Sequence, residues 1–189
     1  MRPKIIIDPG HGGRDLGGGT NILFTEKDWN LNTSFYQLEL FQKWGIPATM
    51  TRREDIYIEP TKRARIVRDS GALLCISNHV NAFDGHRSGF EIYHSIHAKP
   101  TFAQWIYEKL RRTDMKPNVN PIRIRESNDY PGRDYYFMHR LTGAVQTLII
   151  EYGYGDNPAD RQKLCDNWKT YAAAVVRGVL IYLEKAGLT

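Results

Sequence analysis

The stretch Lys4-Ile5-Ile6-Ile7-Asp8-Pro9-Gly10-His11-Gly12-Gly13 (residues 4–13) decides the fold. Consecutive isoleucines leave neither face of a strand polar, which is the pattern of a strand covered on both sides, and Pro9-Gly10 ends it. A strand covered on both sides belongs to a parallel sheet with helices above and below. In such sheets chemistry gathers just beyond the carboxyl ends of the strands, and this strand runs out at a histidine.

Outward from there, residues 11–25 are rich in Gly, Asn and Thr and read as a long loop, of the length that usually carries function. Thr25 caps a helix that starts at Glu26, with Asp28 also in its first turn. Leu31, Phe35, Leu38 and Phe41 share one face, and Gly45 stops the helix. Residues 46–51 form a second strand and residues 61–69 a helix, with Ala64, Ile66 and Val67 available for burial. Residues 72–77 are a third, strongly apolar strand and 90–93 a short fourth. A helix follows over 101–112, the stretch 116–133 reads as loop, and 146–151 is a fifth strand. The last helix, 159–185, presents Leu164, Trp168, Tyr171, Val175, Val179 and Tyr182 as one stripe. The alternation predicts a single α/β domain over residues 1–189. Its sheet is open, twisted, mostly parallel and of about five or six strands, with helices on both faces and no separate second domain.

Composition excludes several classes. With 41% hydrophobic and 12% aromatic residues the chain is neither disordered nor fibrous. Its 2 cysteines, with no CxxC, make neither a disulfide framework nor a cysteine metal site; Cys75 reads as core and Cys165 as a helix residue. No apolar run approaches the roughly 18 residues of a membrane span. Met1-Arg2-Pro3-Lys4 leads into too few apolar residues for a secretion signal, so synthesis in the cytoplasm without a signal peptide is expected. The net charge of +5 reads equally as an ordinary solvated surface kept soluble by its charge and as a surface suited to an anionic partner. Nucleic acid is not that partner, because Arg52-Arg53, Lys62-Arg63 and Arg111-Arg112 are dispersed and lack interleaved aromatics.

The strand ends carry the chemistry. His11 follows the first strand, Ser77-Asn78-His79-Val80-Asn81 the third, and Glu151-Tyr152-Gly153 the fifth, while Glu26 opens the helix after the long loop. Each has an ordinary reading alone: a hydrogen-bonded histidine, a carboxylate on a helix dipole, a surface glutamate. Together at one sheet edge, two imidazoles and a carboxylate are the donor set of a catalytic zinc that leaves one position open. A remaining glutamate can then move the proton of a zinc-activated water to a leaving nitrogen.

In order along the chain stand Ile-Ile-Asp-Pro-Gly-His-Gly-Gly (6–13), Thr-Glu-Lys-Asp-Trp-Asn-Leu (25–31) and Thr-Arg (51–52) with Asp55. Ser-Asn-His-Val-Asn-Ala (77–82) and Ile-Glu-Tyr-Gly-Tyr-Gly-Asp-Asn-Pro (150–158) complete the series. This series resembles the zinc-dependent N-acetylmuramoyl-L-alanine amidases, the cell-wall hydrolases of bacteria and their phages. The resemblance implies one Zn2+ held by His11, Glu26 and His79, with Glu151 as catalytic acid and base. It further implies a peptidoglycan substrate, cleaved at the amide between the lactyl group of N-acetylmuramic acid and L-alanine. An endolysin of a phage or prophage, acting as a monomer at the wall after release and without a separate wall-binding domain, fits these expectations, as does a bacterial autolysin or a catalytic domain excised from a longer protein. Pro9 and Tyr154 depart from the family pattern tolerably; residues 123–139 follow its substrate cleft only loosely. His86, His94, His97 and His139 read as loop or surface residues, and Arg63 and Arg65 as structural ion-pair partners. A zinc peptidase or deacylase on another amide is the nearest alternative. A mononucleotide-binding module is the non-enzyme one, weakened because the glycine run lacks GxGxxG spacing and a P-loop lysine.

Overall fold

Isoleucines at positions 5 to 7 alternate between two apolar cores, and the rest of the fold is arranged around that alternation. The structure is a computed structural model that describes residues 4–188, so the chain start on which the signal-peptide reading rests lies outside the described residues. Its strands are β1 (Ile5–Pro9), β2 (Ala48–Met50), β3 (Leu74–Asn81), β4 (Phe90–His94), β5 (Pro117–Arg123) and β6 (Gln146–Tyr154). Its helices are α1 (Glu26–Lys43), α2 (Pro60–Asp69), α3 (Thr101–Leu110), α4 (Phe137–Arg140) and α5 (Pro158–Lys185). The six strands form one sheet in the order β2-β1-β3-β6-β4-β5. The first four of that order run parallel; β4 is antiparallel to β6, and β5 runs parallel to β4.

Ile5 and Ile7 face the larger core, where Trp29, Leu38 and Phe41 of α1, Phe102 and Ile106 of α3, and Leu164, Tyr171, Val175 and Val179 of α5 are buried. Ile6 faces the smaller one with Cys75, Val67 of α2, Met138 of α4 and Ile149. Helices therefore cover both faces, as two-sided apolar strands require. Among the described residues no helix is long and apolar enough to cross a membrane.

Several expectations need correction. Residues 117–123, read as loop, form β5; its two prolines are tolerated because the strand lies at the sheet edge and pairs only with β4. The third and fifth sequence strands run on to Asn81 and Tyr154, so His79 and Glu151 sit inside strands, as direct register partners. Thr25 occupies the N-cap of α1, but its hydroxyl turns to Asp28, and the Thr20 hydroxyl accepts the Glu26 amide at 3.0 Å instead. Phe35 is exposed, because the buried face of α1 is shifted toward Asn30, Ser34 and Gln37. Those polar groups are satisfied across the core: Asn78 Nδ2 donates to Ser34 Oγ and Gln37 Oε1 at 2.8 and 2.7 Å, and the Tyr152 hydroxyl donates to Asn78 Oδ1 at 2.9 Å.

α5 departs from helical geometry at Asn167, whose side chain, with the Tyr171 hydroxyl, binds Asp114. His94 and His139 are buried rather than superficial, and burial pushes the His139 imidazole down to about 4. Arg63 does enter an ion pair; Arg65 is exposed and forms none among the described residues.

Candidate metal centre

Three chain segments converge at the carboxyl edge of the sheet. His11 comes from the loop after β1, Glu26 from the first turn of α1 and His79 from β3. His11 Nε2 lies 3.1 Å, and His79 Nδ1 3.2 Å, from the same oxygen, Glu26 Oε1. One candidate donor atom from each residue lies within 4.8 Å of every other, and the two imidazoles meet edge to face at 5.0 Å. Glu151 on β6 opens onto the same cavity of about 300 Å³, which is also lined by Tyr57, Ile58, Tyr136, Phe137 and Met138. The four sequence candidates are thus brought to one place.

Each donor is held from behind. His11 adopts φ +61°, a left-handed conformation rare outside glycine and of a kind that collects at functional sites. Two buried guanidinium groups secure that turn: Arg63 donates to the carbonyls of Pro9 and His11 at 2.7 Å, and Arg52 donates to the carbonyls of Pro9 and Gly10 at 3.1 and 3.0 Å. Arg63 is held in turn by Asp8, fully buried at the end of β1, whose carboxylate also accepts the hydroxyls of Thr51 and Ser77. His11 Nδ1 is 2.9 Å from Asp15, which leaves Nε2 directed at Glu26. Glu26, 1% exposed, accepts the amides of Gly19 and Val80 at 2.8 and 3.0 Å. Asp55 ties the loop to α1 through the Gly13 amide and Lys27.

The backbone passes so close that side chains are excluded. A Cβ at Gly10 would lie 2.2 Å from the His79 ring. At Gly17, where φ is +86°, it would lie 2.4 Å from the Glu26 carboxylate.

Charges in the site are strongly displaced from their ordinary values. Burial alone would raise the Glu26 carboxyl, but the hydrogen bonds from His11 and His79 outweigh it and hold it well below the usual carboxylate range. Burial likewise opposes protonation of His11, yet Glu26 and Asp15 raise it to about 9. The buried Glu26 carboxylate thus draws positive charge onto His11. Two nitrogens and one carboxylate oxygen around one point fit a divalent cation such as zinc, the first imidazole already oriented by a carboxylate behind it.

Glu151 is the opposite case: burial, then the neighbouring Glu26 and Glu91, push it well above the usual range, and its Oε2 is buried with no hydrogen-bond partner. Glu91, its register partner on β4, is itself occupied by Arg123, Asn81 and Tyr93. Sequence reasoning missed Asp15, Arg52 as a loop support, Glu91 and Tyr136. Asp15 left a local signal, four residues from His11, and Arg52 stood in the Thr-Arg pair at 51–52; Glu91 and Tyr136 act across the fold.

The pattern of the family described as N-acetylmuramoyl-L-alanine amidase matches residues 5–180. An uncharacterized cell wall amidase of Bacillus anthracis is 31% identical over 97% of this chain, which spans 36% of that protein. The germination-specific N-acetylmuramoyl-L-alanine amidase of Bacillus subtilis is 28% identical over 97% of this chain and 81% of its own length. Among solved structures, the CwlD amidase of Clostridioides difficile, determined in complex with the GerS lipoprotein, superimposes with a TM-score of 0.82 at 26% identity. That likeness covers 96% of this chain and 98% of the other.

Proposed function

This chain belongs to the N-acetylmuramoyl-L-alanine amidase family, and from that premise we propose how it acts. It hydrolyses the amide joining the lactyl group of N-acetylmuramic acid to the L-alanine of the peptidoglycan stem peptide. His11, Glu26 and His79 hold one zinc ion, and Glu151 carries the proton. The observation that carries this reading is the meeting of His11, Glu26 and His79 at one point, with an unpartnered Glu151 on the same cavity.

Zinc in that position supplies Lewis acidity, lowering the pKa of a water and polarising a carbonyl. The chain's own residues do the rest. Glu151 Oε2 takes a proton from the attacking water as the new carbon–oxygen bond forms at the lactyl carbonyl. It returns that proton to the alanine nitrogen as the carbon–nitrogen bond breaks, so the products are a lactyl carboxylate and a free alanine amine. A buried carboxyl with raised proton affinity suits both halves of this transfer. Asp15 keeps the His11 ring in its donating orientation, and the apolar side chains of Phe137 and Met138 limit water in the cavity.

For the setting, wall lysis by a phage or prophage endolysin remains the reading from sequence. The germination-specific relative favours a bacterial autolysin, and both use the same bond cleavage.

Digestion of purified peptidoglycan tests the proposal. New alanine amino termini should appear without new reducing sugar ends. Glu151→Gln should keep stoichiometric metal but lose at least about a hundredfold in rate, whereas His79→Ala should lose the metal itself. Amino termini other than alanine would turn the assignment toward a zinc peptidase, and an active Glu151→Gln would remove Glu151 from the proton transfer.

A further inference from the structure

Residues 125–135 double back on themselves beside the cavity. Glu126 and Asp134 form an isolated antiparallel bridge, the Ser127 amide donates to the Arg133 carbonyl at 2.8 Å, and the Tyr135 amide donates to the Arg125 carbonyl at 2.8 Å. That pairing sets Arg125 against Tyr135, and the guanidinium carbon lies 3.6 Å from the Tyr135 ring centroid and 5.8 Å from that of Tyr136. Tyr136 is fixed edge-on by Tyr93 and Tyr135 at 5.1 Å, and it lines the cavity shared by His11, His79 and Glu151. The guanidinium is therefore stacked on Tyr135, whose ring meets edge to face the Tyr136 ring that lines the site.

Its charge is uncompensated. Arg123 is bound to the buried Glu91 at 2.6 Å, and Arg140 is occupied by the carbonyls of Asp134 and Tyr135. The adjoining acid, Glu126, accepts the Gly132 amide. Arg125 is exposed, and no carboxylate oxygen lies within 4.0 Å of it among the described residues. A stacked guanidinium presents its planar fork at little entropic cost and matches a carboxylate through paired hydrogen bonds.

We infer that Arg125, stacked on Tyr135 next to the cavity-lining Tyr136, is a specificity residue that binds a free carboxylate on the peptide side of the scissile amide. This rests on the amidase reading: the lactyl carboxyl is consumed in the amide and N-acetyl sugars carry no charge. The anionic groups of the substrate therefore lie in the peptide.

Three muramyl tripeptides separate the possibilities. One has a free carboxylate on its second residue alone, one at its C-terminus alone, and one carries carboxamides at both. One of the two acids should be preferred over the diamide by about tenfold in kcat/KM, expressed in KM, with kcat within about twofold; whichever acid it is identifies the carboxylate. Arg125→Ala should erase that preference by raising KM for that acid only, and Arg125→Lys should restore part of it. A merely structural role would depress all three substrates alike. Equal rates for the three, or a preference that survives Arg125→Ala, overturns this inference and leaves the amidase reading intact. A wild-type protein that cleaves none of them overturns both.

Discussion

Gly10 shows how closely the site is fitted around its donors. The chain leaves β1 against the face of the His79 ring, so even a methyl group at position 10 would stand 2.2 Å from that ring. Backbone atoms define the approach, and the imidazole is what must move. Gly10→Ala should therefore swing His79 away from Glu26 while leaving the cores untouched. We expect zinc affinity to fall by about tenfold to a hundredfold, as when an orienting partner of a ligand is lost. The thermal midpoint of the metal-free protein should drop by only a few degrees, consistent with about 1–3 kcal/mol of local overpacking. Competition with a chromogenic chelator reads the first and calorimetry the second; an unchanged affinity would mean that His79 is not confined by the β1 turn. Gly17, close to the Glu26 carboxylate at a positive φ, constrains the second donor in the same way.

At the scale of elements, the end of β1 is a buried electrostatic joint between β1, β3, α2 and the segment after β2. Asp8 binds Arg63 at 2.8 Å and accepts the Thr51 and Ser77 hydroxyls at 2.6 and 2.7 Å. Burial alone would raise its carboxyl, but Arg63 and the hydroxyls more than offset that and leave it below its ordinary value. A carboxyl depressed on folding contributes stability that is complete above its unfolded pKa of about 3.9 and is lost as pH falls through the folded value. Asp8→Asn leaves Arg63 buried without a counter-charge and should cost about 3–5 kcal/mol at pH 7. Urea unfolding between pH 7 and 3 should show a smaller loss below about pH 4 for Asp8→Asn than for the wild type; matching slopes would contradict the role given to Asp8. This joint also marks the limit of what the sequence reveals. β1, α1, β3 and α5 are legible because each carries a local signal: an isoleucine run, an acidic first turn, a continuous apolar stretch, a long stripe. The donors are legible for the same reason, standing beside strand ends and a helix start. β5 is hidden because its prolines and exposed residues carry meaning only at a sheet edge. The supports of the site are hidden because Asp8–Arg63, Arg52 and Glu91–Arg123 pair residues that only the folded sheet brings together.

At the scale of the whole molecule, the sheet sets the site at one edge while the charge is spread over the rest. The excess of basic residues, 26 against 21 acidic, gives a net charge of +5. Much of the basic charge in the interior is spoken for, since Arg52 and Arg63 are buried among carbonyls and Asp8, so the surplus acts from the surface. A positively charged surface raises the local concentration of protein at an anionic polymer, and this attraction is long-ranged only where salt permits. The screening length is about 30 Å at 0.01 M ionic strength and about 8 Å at 0.15 M. Lysis of intact walls carrying anionic polymers should therefore slow by about threefold or more across that range, through weaker association. Cleavage of a muramyl tripeptide with both carboxyls amidated should stay within about twofold, because it has no carboxylate for the basic surface to attract. Turbidity clearing and chromatographic assay of the small substrate, run in the same buffers, separate the two. If both rates decline together, salt acts on the site or on the fold, and the surface charge has no part in bringing this protein to the wall.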